Sequence, residues 1–194
     1  MELTTFCRST ALVATLMLSP LASADWGVAA GSTVNYVSIK NNTIAENNAF
    51  TGVTGSIADD GNIAIQIDLA SVETRVDIRN QRMRELFFDV GNHPIALITG
   101  QLSVPEMAQL DAGAPLERTL PLTLSLHGSE ATIEAKLRAI AVGGELFVTT
   151  LEPILVSAGD YGLAAGVTAL REIAGLNAIA STIPVSVNLH FVRD

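Results

Sequence analysis

Four arginines, Arg75, Arg79, Arg82 and Arg84, crowd a stretch that also carries Asp77, Glu85 and Asp89. A guanidinium offers a planar fork of donors to oxygen atoms. One reading therefore places an arginine at the entrance of a binding site, holding the oxygen atoms of a polar head group. The other reading is local, because arginines at i,i+3 and i,i+4 spacing meet their own acidic neighbours on a helix. Glu46, Asp68 and Glu73 are further candidate partners for these cations. The histidines, His93, His127 and His190, are far apart in sequence, and no H-x-H or H-E-x-x-H pair exists. No metal site is expected from them. There is no G-x-S-x-G elbow and no phosphate-binding glycine loop. The single cysteine is Cys7. Nothing in the chain argues positively for an enzyme, and no cofactor is implied.

The elements that must position these groups are mostly strands. Thr33 to Lys40 alternates with Val34 and Tyr36 on one face, and Glu46 to Ile57 follows, interrupted by Gly52 and Gly55. Glycines inside strands mark bulges and corners. Asp59-Asp60-Gly61-Asn62 is a tight turn. Ile63, Ile65, Ile67 and Leu69 then alternate with polar or small residues. Further strands read at Ile95 to Leu102, Leu120 to Leu126, Glu130 to Ala141, Glu145 to Leu151 and Val185 to Val192. Helical spacing appears in three places. Ser103, Pro105 and Glu106 form the start of a short helix with a capping box. Val76 to Phe88 mixes charged and apolar residues. Leu163, Val167, Leu170 and Ala174 recur at i, i+4, i+7 and i+11, with Asp160 as a cap and Gly175 as a stop. About eight antiparallel strands in about 170 residues predict an all-β fold, a closed barrel or a sandwich.

Composition sharpens the picture. The 194-residue chain is 48% hydrophobic, only 16% charged and 5% aromatic, with a net charge of −9. An acidic surface repels phosphate backbones, so nucleic acid is excluded as a partner. Arg8, the apolar run Ala11 to Leu21 and the small-residue site Ala22-Ser23-Ala24 read as a secretory signal peptide over residues 1–24. The run is too short to span a bilayer. One mature domain is expected over 25–194, exported to the periplasm or the medium, with no disulfide and no thiol chemistry.

The segment Ile67 to Ile98, IDLASVETRVDIRNQRMRELFFDVGNHPIALI, resembles the central signature of the YceI-like family. There a strand ending in an SVxT turn leads into an arginine-rich RxxRMRE helix and then a PxA strand. AENNAF (Ala45 to Phe50), Tyr161-Gly162-Leu163 and IPVSVNLHF (Ile183 to Phe191) resemble the family's second strand, carboxy-terminal helix and closing strand. The resemblance implies an eight-stranded, lipocalin-like antiparallel barrel with short capping helices. It implies a carrier of polyisoprenoids, isoprenoid quinones such as ubiquinone, or similar amphiphiles. Asn48 stands where the family often has a histidine. Arg79 lies in the best-matching part of the arginine cluster and is the first choice for a structural or mouth role.

An eight-stranded barrel either fills with side chains or holds one small ligand. Medium aliphatic strand residues and few aromatics favour a cavity. The lining candidates are Val34, Tyr36, Phe50, Ile65, Ile67, Leu69, Leu97, Leu122, Leu124, Phe147, Val187 and Leu189, although a one-residue register error turns any strand inside out. Phe87 and Phe88 either close the barrel over a ligand or anchor the helix before them. Three functions follow. The first is binding and carriage of a long apolar amphiphile in the lumen. The second is a filled-barrel accessory module for a membrane redox or stress-response system. The third is a lipid-modifying enzyme. A homodimer and transient contact with a membrane or membrane protein are compatible with each.

Overall fold

The computed structural model describes residues 25–193. The expected signal peptide over 1–24 lies outside the described residues, as does Asp194. Twelve strand segments make one antiparallel sheet: β1 (Trp26–Val28), β2 (Thr33–Lys40), β3 (Ile44–Phe50), β4 (Val53–Ile57), β5 (Asn62–Asp68), β6 (Val72–Glu73), β7 (Ile95–Gln101), β8 (Leu116–Leu126), β9 (Ser129–Val142), β10 (Glu145–Thr150), β11 (Ile154–Ser157) and β12 (Thr182–Arg193). Short breaks divide β1 from β2, β3 from β4, β5 from β6 and β10 from β11. Each pair is one bent stave, so the chain forms an up-and-down eight-stranded barrel. β12 closes it by pairing with β1 and β2 on one side and with β10 and β11 on the other.

The breaks follow local chemistry. Gly55 has φ +127°, and a Cβ there would lie 2.1 Å from the carbonyl oxygen of Ala64, so only glycine lets β4 approach β5 this closely. Asn41 and Asn42, both with positive φ, turn β2 into β3. The segments β1, β6 and β11 are two to four residues long and carry no readable period.

Two ends are distinct. Helix α2 (Val104–Asp111) covers the base. Glu106 accepts hydrogen bonds from the backbone N–H and hydroxyl of Ser103, both at 2.7 Å, and pairs with Arg118 of β8 at 3.2 Å. Arg193 bonds Asp111 and stacks over Trp26. At the other end lie α1 (Asp77–Arg82), continued by a π-helical turn (Met83–Phe87), and α3 (Ala164–Ile173). The expected cap Asp160 sits a turn before α3, in a 3₁₀ turn, and Leu163 precedes the helix instead. Gly175 does stop α3: with φ +62° it lets Leu176 N–H reach Arg171 O at 3.0 Å. A Cβ at Gly166 would come within 2.9 Å of the Phe87 ring, so the missing side chain seats α3 against the π turn.

The inner face carries most of the expected lining. Leu97 and Phe147 are corrections: both lie on the outer wall. Ala96 and Ile98 take the inner positions of β7, and Leu146 (0% exposed) and Val148 those of β10. Phe147 is 41% exposed and stacks on His190 at 4.8 Å. In both places a run of consecutive apolar residues, Ile95 to Ile98 and Leu146 to Val148, left the period-two signal without a phase.

Candidate functional site

The barrel encloses a cavity of about 540 Å³ beneath α1 and α3. That is within the usual range of small-molecule sites. Of the residues expected to line a lumen, Val34, Tyr36, Phe50, Ile67, Leu69, Arg79, Phe87, Phe88, Leu124 and Val187 border it. Ile65, Leu122 and Leu189 border a second, deeper space of about 80 Å³ towards α2. Sequence reasoning did not name Met83, Ala96, Ile98, Ile133, Ile154, Val156, Ile183 or Val185, which also line the larger cavity. The alternation of β12 held the signal for Val185, and that of β9 for Ile133. The apolar stripe Leu163, Val167, Leu170 and Ala174 does face the cavity, as its helical spacing predicted.

One wall is aromatic. Tyr36, Phe50, Phe88 and Phe87 touch in sequence, with centroid separations of 5.5, 5.7 and 4.7 Å. Phe88 is buried against Phe50 and so anchors the π turn, while both Phe87 and Phe88 border the cavity.

The polar groups gather on the side of β2, β3 and α1. Arg79 donates to the carboxylate of Glu46 and, through Nη2, to the carbonyl of Thr74 at 2.6 Å. Lys40 Nζ meets the same Glu46 oxygen at 2.7 Å. Asn48, 5% exposed, donates to Ser38 Oγ and Glu46 O, both at 3.1 Å. Neither Asn48 Oδ1 nor Arg79 Nε has a hydrogen-bond partner among the described residues. Asn80 fixes the start of α1: its Oδ1 accepts from the backbone N–H and hydroxyl of Thr74 at 2.8 and 2.6 Å. Of the four arginines, Arg79 and Arg82 border the cavity, and Arg79 reaches an acid 33 positions away rather than a helical neighbour. Asp77 and Asp89 do not pair with the cluster, and Glu85 bonds Gln81 instead.

Electrostatics follow from this geometry. Burial pushes the Tyr36 phenol well above its usual range, opposed by the nearby Arg79 charge, so it stays a neutral hydroxyl. The Lys40 ammonium, with Arg79 beside it, holds the Glu46 carboxyl below the usual carboxylate range despite some burial. A depressed carboxylate stabilises the fold above its unfolded pKa of about 4.3, and that contribution is lost as pH falls through the folded value. Acidification below about pH 4 is therefore expected to loosen α1, read as faster amide exchange over residues 74–88. Glu46→Gln should remove that pH dependence. Identical pH profiles for parent and variant would exclude Glu46 as the cause.

His93 and His127, distant in sequence, meet at the rim with ring centroids 4.3 Å apart. Among the described residues no cluster of three His, Cys, Asp or Glu side chains is placed to hold a metal ion. No helix among them is long and apolar enough to cross a membrane.

Comparison with known proteins agrees with this geometry. A polyisoprenoid-binding domain from Saccharophagus degradans, implicated in plant cell wall breakdown, superposes with a TM-score of 0.83 at 32% identity, over 89% of this chain and 99% of that one. BcnA from Burkholderia cenocepacia superposes with a TM-score of 0.62 over 82% of this chain and 95% of its own, and at 17% identity it speaks for the fold alone. No curated protein matches the chain. The YceI-like domain model matches residues 26–191, nearly the whole described barrel, and the chain belongs to the YceI-like family.

Proposed function

We propose that this protein binds a long apolar amphiphile, a polyisoprenoid or an isoprenoid quinone, in the barrel lumen and carries or sequesters it. The observation that supports this reading is the cavity of about 540 Å³, walled by aliphatic and aromatic side chains and bordered by polar groups on one side only. A filled barrel would not leave such a space. Each methylene moved from water into that lining contributes about 0.8 kcal/mol, so an isoprenoid tail binds with few polar contacts. The similarity to the polyisoprenoid-binding domain of Saccharophagus degradans points the same way. The polar side, with Tyr36, Asn48 and Arg79, suits a head group, and the lining hydroxyls of Ser38 and Thr74 are bonded to the amides of Asn48 and Asn80 rather than to a histidine or carboxylate base. Val76, Ile78 and Ile173 line the cavity yet are exposed at its rim, where a tail leaving a membrane or another protein would first make contact. Export to the periplasm or the medium, and pairing as a homodimer, belong to the same proposal.

The test is native mass spectrometry of the protein purified from the exported fraction, with organic extraction of whatever co-purifies. One isoprenoid-like molecule per chain is the expected result. A bare polypeptide mass, unchanged after incubation with ubiquinone and with polyprenols, would sink the carrier reading.

A further inference from the structure

The large cavity and the deeper space share five lining residues: Val34, Ile98, Ile133, Ile154 and Val187. They come from β2, β7, β9, β11 and β12, and so are spread around the barrel wall rather than stacked on one face. All five are β-branched, and such side chains are stiff about χ1. A leucine or methionine ring could swing aside, whereas a ring of valine and isoleucine yields little. Below it, the deeper space is lined by apolar side chains, with Arg118 the one charged residue on its border. It is closed by Leu110 of α2 and by the fully buried Leu146 and Phe191. The polar lining residues Tyr36, Asn48 and Arg79 border only the upper cavity.

We infer that this aliphatic ring is a length gauge, on which the tail of the bound amphiphile ends, with Ile98 and Ile133 as the residues that set preferred tail length. The inference rests on the carrier reading. A tail enters with its apolar end leading, because the polar groups lie above the ring and none but Arg118 lies below. Methylenes that find room above the ring leave water, and each tightens binding roughly fourfold. Once the upper cavity is full, further units stay outside the mouth in water and add nothing. Affinity therefore rises with tail length and then levels off. Ile98 and Ile133 are only partly buried although they point inward, so their tips border open lumen rather than packed core. Trimming either joins the deeper 80 Å³ to the upper cavity.

The experiment is a set of dissociation constants, from displacement of a fluorescent fatty-acid probe, for all-trans prenols lengthened one isoprene unit at a time from geraniol. The parent is expected to show a steep rise and then a plateau. Ile133→Ala should carry the rise further by about one unit, with a gain of tenfold or more for the first prenol beyond the parent's plateau. Ile98→Ala is the parallel variant should Ile133→Ala fail to fold. Adding Ala135→Leu, which fills the deeper space from its own wall, to Ile133→Ala should return the plateau to its parental place. A parental series that tightens without levelling off, or a plateau unmoved by either alanine variant, overturns the gauge and leaves the carrier reading standing. Failure of every prenol, and of ubiquinone, to displace the probe overturns both.

Discussion

Ala96→Phe is expected to weaken binding of a long-chain isoprenoid by more than tenfold while leaving the thermal midpoint within about 5 °C of the parent. Ala96 is 3% exposed and borders the large cavity from β7, opposite Ile67 in the neighbouring strand. A benzyl group there must stand in the lumen. Excluding even two methylenes of ligand costs about 1.6 kcal/mol, already more than tenfold. The stability readout separates a cavity from a core. Overpacking a filled interior costs about 1–3 kcal/mol, and each kcal/mol lowers the midpoint by roughly 2–4 °C in a domain of this size. A variant that melts about 10 °C lower would show that the lumen is packed and that the carrier reading is wrong. A variant as stable as the parent that still binds one ligand per chain would place the ligand elsewhere.

Asn80→Ala is expected to destabilise the protein by about 1–3 kcal/mol and to accelerate ligand release. Asn80 is buried on α1, facing the turn that follows β6. Its side chain accepts two hydrogen bonds from Thr74 and donates one to Glu73 at 3.2 Å. The alanine variant leaves the Thr74 backbone N–H without its partner, and an unpaired buried donor costs more than a lost bond in water. Arg75 beside it has φ +60°, so the turn depends on such tethers to hold its shape. The effect is local first. Amide exchange over residues 74–88 should rise before the barrel strands lose protection, because α1 and the π turn are held to the barrel by Asn80, Arg79 and Phe88. Unchanged exchange in this segment, with a midpoint shift under about 1 °C, would show that the helix is held by its apolar contacts alone.

Both predictions use residues that the sequence presented in very different degrees. Asn80 lies in the stretch whose motif pointed to the family, yet nothing in its spacing showed that it would be buried under a turn six residues before it. Ala96 sits in an apolar run where no phase could be read. Arg79 was singled out among the four arginines by its place in the motif. Its partner was named only as one of three candidates, Glu46, Asp68 and Glu73, because Glu46 joins it only when β3 passes beside α1. The His93–His127 contact was hidden for the same reason: the start of β7 and the β8–β9 turn meet only at the rim of the closed barrel.

The sequence by itself determined the all-β class, the strand end at the Asp60-Gly61 turn, and the capped helix at Ser103. It also showed the apolar alternation of β2, β5, β8 and β12 and the apolar stripe of α3, while the inward direction of each strand waited on the register. These are properties of near neighbours along the chain, where a period of two or of 3.6 and the φ preference of glycine act directly. Tertiary structure alone decided that Leu97 and Phe147 face outward, and that Glu46, rather than Asp68 or Glu73, meets Arg79. It alone decided that the lumen is divided by a ring of valine and isoleucine. Those features depend on how far opposite walls stand apart, and that distance is set by strand number and register around the whole barrel. The same isoleucines and leucines could have met across a narrower lumen as a dry core. In this fold they line a space of about 540 Å³.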